Sequence, residues 1–163
     1  MAIRPDEFRR ALGQFASGVT VVTTWDADGR PTGLTASAFT SVSLDPPLVL
    51  ICVDHQAQSY GALKAHDRFA VNILSAEQEA LSRRFASTEG SKFQGVAFER
   101  GARGLPLLPA ALAHIECRTV HTYAGGDHTI FVGEVEAASV RRGEPLLYYR
   151  GQYTRLRPEG SPA

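Results

Sequence analysis

The sequence predicts a mainly β protein, an antiparallel barrel with a few peripheral helices. Runs rich in β-branched and aromatic residues outnumber helical ones, helical periodicity is confined to short segments, and strand and helix never alternate regularly enough for a parallel sheet.

The elements follow in order. Phe8, Ala11, Leu12 and Phe15 recur at helical spacing between Pro5, suited to a first helical turn, and the stop at Ser17-Gly18, so a short amphipathic helix is expected to pack on the sheet. Val19 to Trp25 is β-branched, Asp26-Ala27-Asp28-Gly29 is a turn and Arg30 to Phe39 returns, which makes residues 18–39 a β-hairpin. Pro46-Pro47 then opens a strongly apolar strand through Val53, because two prolines hold the chain extended and remove two backbone donors. Ser59 to Ala65 reads as a short helix and Arg68 to Leu74 as a strand. Ser75-Ala76-Glu77-Gln78 has capping-box spacing for a helix to about Phe85, followed by a polar, glycine-containing loop from Ala86 to Gly95 that is expected to be mobile. Leu112 to Tyr123 and Thr129 to Val140 form a second hairpin through Ala124-Gly125-Gly126-Asp127, and Leu146 to Tyr149 and Gln152 to Leu156 add short final strands.

At 163 residues the chain fits one domain, taken as residues 1–157, with a disordered tail at 158–163. Acids and bases balance at 17 each, so no overall field draws the chain to nucleic acid or to an anionic membrane. No run reaches the roughly 18 apolar residues of a membrane span, and the charged, amphipathic start lacks the layout of a secretory signal. A cytoplasmic protein is the expectation. Cys52 and Cys117 both sit in apolar runs without a Cys-x-x-Cys pair and read as small buried hydrophobes.

Several chemistries lack their motifs. The chain has no Gly-x-Gly-x-x-Gly between a strand and a helix, no P-loop and no Gly-x-Ser-x-Gly elbow. His114, His121 and His128 are evenly spaced, but residues seven apart on one strand point to opposite faces, so no metal site is expected unless a bulge intervenes.

Two stretches can carry chemistry. Gly33-Leu34-Thr35-Ala36-Ser37-Ala38-Phe39 places small and hydroxyl residues where bulky β-formers are usual, so a flat polar ligand can approach the backbone; an ordinary strand with hydroxyls on a solvated face is the competing reading. Gly125-Gly126-Asp127-His128 is a tight turn with a histidine immediately after it, at the mouth of the barrel or simply at the surface. Ser59, at a helix start, and Arg84, at a helix end, are donors for an anionic phosphate, although arginines at a helix end are usually just solvated.

The Gly33 to Phe39 stretch, the Ser41 to Val53 segment and the run Gly126-Asp127-His128-Thr129-Ile130-Phe131-Val132-Gly133-Glu134-Val135 together resemble the short-chain NAD(P)H:flavin oxidoreductases, the reductase components of two-component flavin-dependent monooxygenases. The resemblance spans Phe15 to Leu156 and implies an FMN-binding split barrel, antiparallel and Greek-key-like, working as a homodimer. It implies flavin contacts at Thr35, Ala36, Ser37 and Ala38, with Cys52, Val53 and Asp54 edging the ring and Ser59, Arg84 and Phe85 toward the phosphate. It implies nicotinamide contacts at His128, Tyr149, Arg150 and Gly151. Many relatives carry a serine where this chain has Ala38, which leaves the choice of flavin open.

The expected reaction is hydride transfer from NADH or NADPH to FMN or FAD, with reduced flavin diffusing to a partner monooxygenase. The two rings carry this chemistry, so no catalytic acid or base is required of the protein. Two other readings remain at this point: a non-catalytic flavin-binding module, such as a sensor or storage protein, and a barrel that binds another cofactor or a protein partner.

Overall fold

A computed structural model describes residues 3–156, so the tail expected at 158–163 lies outside the described residues. The chain runs α1 (Pro5–Leu12), β1 (Ser17–Gly18), β2 (Thr20–Trp25), β3 (Pro31–Ala36), β4 (Phe39–Leu44), β5 (Pro47–Asp54), α2 (Tyr60–Ala65) and β6 (Arg68–Ile73). A 3-10 turn at Ala76–Gln78 leads into α3 (Glu79–Ala86), followed by β7 (Glu99–Arg100), β8 (Pro106–Leu107), β9 (Ala113–Gly125), β10 (His128–Val140), β11 (Leu147–Tyr149) and β12 (Gln152–Thr154). Among the described residues no helix is long and apolar enough to cross a membrane.

One antiparallel sheet carries the fold, in the order β3-β2-β6-β9-β10-β5-β4. Both expected hairpins are present, β2–β3 and β9–β10. The sheet curls until its ends meet: Leu34 and Ala36 of β3 share a core with Val49, Ile51 and Val53 of β5, and Leu63 of α2 packs against them. The long β9–β10 hairpin bends through two register shifts, between Val132 and Gly133 and between Val135 and Ala137, as bulges bend a strand in a barrel. A small second sheet, β1-β11-β12, is joined through Ser17 opposite Tyr148.

A second core lies on the other face of β2 and β6. Successive side chains of a strand point to opposite faces, so Val22 enters the barrel while Val19 and Val21 pack outside it with Leu74, Phe85, Phe93, Leu108 and Leu146. Asn72, wholly buried on β6, ties this outer layer down. Its amide donates to Val21 O at 2.9 Å and to Thr23 Oγ1 at 3.0 Å, and its oxygen accepts the Leu108 N–H at 2.8 Å. Thr23 in turn donates to Pro106 O at 2.5 Å, so one side chain anchors the segment around β8 to the sheet.

The capping box expected at Ser75 forms, with Gln78 Oε1 accepting the Ser75 N–H at 3.0 Å. Two expectations change. The stretch Phe39–Leu44, rich in Thr and Ser, forms β4 because β5 supplies a partner backbone across the turn at Asp45-Pro46. Helix α1 buries none of its residues, and Phe8, Leu12 and Phe15 stay 50–80% exposed rather than packing on the sheet.

Replacing Asn72 with alanine leaves Val21 O and Leu108 N–H without their buried partner and opens a small void. A loss of about 2–4 kcal/mol in unfolding free energy is expected, read by urea denaturation.

Candidate functional site

A cavity of about 660 Å³ opens where α1, the β3–β4 connection, β5 and the β11–β12 turn meet. Phe8, Leu12 and Phe15 contribute from α1 and the residues after it, Ser37 and Ala38 from the β3–β4 connection, Phe39 and Thr40 from the start of β4, and Leu50 and Cys52 from β5. Tyr148, Arg150 and Gly151 close its far side, and among the described residues no carboxylate lines it. Leu50 and Cys52 face the cavity while Val49, Ile51 and Val53 face the core, as the period of two along a strand requires. The Ser37 hydroxyl has no hydrogen-bond partner among the described residues.

Five of the residues expected in the site line this cavity: Ser37, Ala38, Cys52, Arg150 and Gly151. The others are placed differently, and each has a physical reason. Ala36 and Val53 alternate inward and belong to the barrel core. Phe85 is fully buried in the second core, edge-on to Phe93 with ring centroids 5.0 Å apart, so its ring is not a ligand wall. Ser59 is also fully buried, its hydroxyl donating to Gly33 O at 2.7 Å and lying 2.9 Å from Thr32 Oγ1. The Thr35 hydroxyl donates to Ser82 O at 2.6 Å, which joins β3 to α3. Arg84 staples the loop after α3, donating to Lys92 O at 2.8 Å and to Gln94 O, so its fork is already occupied. Tyr149 yields its place in the cavity wall to Tyr148, because neighbours in a strand face opposite ways.

The small residue at Gly33 also has a different cause from the one expected. A Cβ there would stand 2.5 Å from Val22 O and 3.3 Å from a Phe85 ring carbon, so the glycine lets α3 approach the hairpin rather than admitting a ligand. Phe39 closes the stretch singled out from sequence but was given no contact there, and neither Tyr148 nor the aromatics of the α1 region were assigned to the site. The exposed apolar stripe of α1 was the one available signal, and it reads equally as core packing. Arg83 stays mostly exposed while it stacks over the Tyr153 ring at 4.6 Å and pairs with Glu79 at 2.7 Å, beside a smaller hollow that it shares with Ala86, Ser87, Tyr148 and Gly151.

The end of the same sheet face carries the histidine. His128 lies directly opposite Asp54 in the β10–β5 register, two residues beyond Cys52 opposite Ile130, so it belongs to the cavity side of the sheet at a spacing of about 7 Å along the strand. Gly126, with φ +72, makes the tight turn that delivers it. Its Nδ1 is 2.7 Å from Asp127 Oδ1. His55, which the sequence reading passed over, joins this cluster: its N–H donates to Asp127 O at 3.0 Å, its Nε2 is 3.0 Å from Thr129 Oγ1, and Tyr60 OH is also 3.0 Å from that hydroxyl. The hydrogen bond from His128, then its charge, hold the Asp127 carboxyl below its ordinary value. The two cysteines differ. Burial, with Glu136 and Glu116 nearby, pushes the Cys117 thiol up to about 12, whereas Cys52 is half-buried against the cavity.

Comparison with known proteins gives a consistent result. The sequence profile of the "Flavin reductase like domain" family matches residues 12–157. The reductase subunit of a flavin-dependent monooxygenase from Rhodococcus jostii is 43% identical over 159 residues, covering 97% of this chain and 81% of that protein. An FMN reductase (NADH) from Agrobacterium fabrum is 44% identical over 149 residues, covering 91% and 84%. Among solved structures, an NADH:FAD oxidoreductase of Streptomyces globisporus, in complex with NAD and FAD fragments, superposes with a TM-score of 0.90 at 42% identity, covering 99% of each chain.

Because the Asp127 pKa is depressed in the folded state, the contribution of its pairing with His128 is present above the unfolded value of 3.8 and fades as pH falls through the lower folded value. Carboxyl NMR titration is expected to place Asp127 below an ordinary aspartate, and His128→Ala to return it upward. An unchanged titration in the variant would remove His128 as the cause.

Proposed function

This chain belongs to the flavin reductase family, and from that premise we infer its reaction: hydride transfer from NADH or NADPH to FMN or FAD. It is an NAD(P)H-dependent flavin oxidoreductase that supplies reduced flavin to a monooxygenase. The observation that supports this most directly is the cavity itself. Its volume of about 660 Å³ lies within the usual range for small-molecule sites, and its aromatic and aliphatic walls with a few hydroxyls suit a flat tricyclic ring.

The residues present fit such a ring and its hydroxylated tail. Phe39, Leu50, Tyr148 and the α1 aromatics offer flat or aliphatic surface, and Ser37 and Thr40 offer hydroxyls at the β3–β4 connection and the start of β4. A bound flavin supplies the electron sink at its N5, and the nicotinamide supplies the hydride from its C4. The chain's own work is to bind, to orient and to keep water away from the faces of the rings. Ser37, Ala38 and Cys52 are assigned to the flavin side, Arg150 and Gly151 to the cavity wall across from them. His128, held by Asp127, is assigned to the nicotinamide nucleotide from the open end of the same sheet face.

The same reading makes the protein a homodimer. Phe8, Leu12 and Phe15 are at least half exposed and line the cavity, and Val42 and Leu44 on edge strand β4 are 50% and 96% exposed. A second copy laid over this surface would bury side chains that water now meets and wall in the cavity, and two-fold pairing is the commonest assembly of soluble chains. A reduced nicotinamide nucleotide as donor supports a cytoplasmic place of action.

Purified protein is expected to oxidise NADH when FMN or FAD is added; binding of flavin without turnover would instead identify a storage or sensor module. The variant His128→Ala is expected to raise KM for NADH about tenfold, equivalent to roughly 1.4 kcal/mol, while flavin affinity holds. Equal loss of both affinities would make its role structural. Sedimentation equilibrium is expected to return twice the chain mass; a monomer at micromolar concentration would refute the dimer.

A further inference from the structure

The ring cavity does not end at Arg150. It continues into a second hollow of about 480 Å³, and Arg9, Gly13, Arg150 and Gly151 border both. Arg10 and Gln14 complete the second hollow, which, like the first, has no carboxylate in its wall among the described residues. Arg9 and Arg10 come from the last turn of α1, and Arg150 from the turn between β11 and β12.

None of these three arginines pairs with a carboxylate among the described residues, whereas Arg4, Arg30, Arg68, Arg83, Arg103, Arg118 and Arg155 all do. The other unpaired arginines are accounted for locally. Arg84 is taken by loop carbonyls, Arg100 lies over the Trp25 ring at 4.5 Å, and Arg141 and Arg142 share their hollow with Glu77 and Glu144. In a chain whose 17 acids and 17 bases cancel, a group of three guanidiniums at one end of a cavity without carboxylates is a local positive field.

The α1 dipole favours all three cations at the helix C-terminus, but Arg150 reaches it only because the β11–β12 turn is held against that end. Arg150 adopts φ +50, a left-handed conformation uncommon for a side chain of its kind, and the surroundings hold it there. Its N–H donates to Gly13 O at 3.0 Å, and its Nε and Nη2 donate to Gln14 Oε1 at 3.1 and 2.7 Å. The guanidinium thus locks the β11–β12 turn to the end of α1 and brings the three cations to one hollow.

We propose that Arg9 and Arg10 form a phosphate-binding shelf that takes the phosphate of the nucleotide whose ring lies in the adjoining cavity, with Arg150, whose Nε and Nη2 already serve Gln14, adding its charge beside them. The inference rests on the reading of that cavity as the flavin and nicotinamide site. Arginine suits the task, since its planar fork meets two phosphate oxygens at once and stays charged at every working pH. The phosphate belongs either to the flavin or to the nicotinamide nucleotide, and one experiment separates them.

The test compares wild type with Arg9→Gln/Arg10→Gln, whose exposed positions leave the cores untouched. Dissociation constants for FMN and for riboflavin, which lacks the phosphate, come from flavin fluorescence, and KM for NADH from turnover. A tenfold or larger fall in the preference for FMN over riboflavin, with KM for NADH unmoved, supports the shelf and assigns it to the flavin phosphate. An unmoved preference with a tenfold or larger rise in KM for NADH supports it and assigns it to the nicotinamide nucleotide. In either case Arg9→Lys/Arg10→Lys is expected to recover only part of the loss, since lysine restores the charge but not the fork. Both quantities within twofold of wild type would overturn the shelf while leaving the reductase reading intact. Wild-type protein that binds flavin but never oxidises NADH would defeat the reductase reading instead, and the FMN-to-riboflavin comparison would then decide the shelf alone, an unmoved preference overturning it.

Discussion

The register in which β10 pairs with β5 decides what the rest of the molecule can be. It runs from His128 opposite Asp54 to Glu134 opposite Leu48, and because side chains alternate, it sorts these strands into two surfaces. Val49, Ile51, Val53 and Phe131 go to the barrel core, and Leu50, Cys52, Asp54 and His128 go to the side on which the cavity opens. A slip of one residue would exchange the two sets, exposing the core and filling the site with valine and isoleucine. The apolar run that makes β5 cohesive and the half-polar one beside it are therefore one decision.

A second layer then stiffens the sheet from outside. Buried Asn72 binds the strands to the segment around β8, and Gly33 lets Phe85 of α3 lie close over the hairpin. Residues that look like ligand contacts in one dimension, Thr35 and Ser59, spend their hydroxyls on this layer. Buried hydroxyls need partners, and the nearest backbone carbonyls satisfy them. The strand borders the cavity only past Ala36, at Ser37 and Ala38, beyond the last β2 pair at Thr20.

The site draws on four distant parts of the chain: α1, the β3–β4 connection, β5 and the β11–β12 turn. What unites them is a contrast of surfaces. The ring cavity is aromatic and aliphatic, its neighbouring hollow is cationic, and among the described residues neither contains a carboxylate, although the chain has as many acids as bases. The acids are elsewhere, as in the Arg68, Arg103 and Arg118 network that converges on Glu136 and holds that carboxyl below its ordinary range, led by the Arg68 hydrogen bond. Such segregation concentrates positive charge at one hollow without any strong field over the whole molecule.

By itself the sequence determined the class of fold, most strand positions, both long hairpins, the capped helix at Ser75 and the family, because these depend on local periodicity, on turn residues and on an order of motifs that survives without three-dimensional knowledge. It also singled out Ser37, Ala38, Cys52, Arg150 and Gly151, which line one cavity. Tertiary structure alone decided which members of each motif face the cavity. Whether Phe85 is a wall or a core residue, whether Arg84 is free or already stapled to Gln94, and whether Tyr148 or Tyr149 points inward all follow from the side of a strand or helix that its neighbours cover. The same holds for Arg9, Arg10 and Arg150. Some 140 positions separate the first from the last, and only the Arg150 bonds to Gly13 and Gln14 bring them to one hollow; spacing along a chain carries no information about a meeting that folding creates.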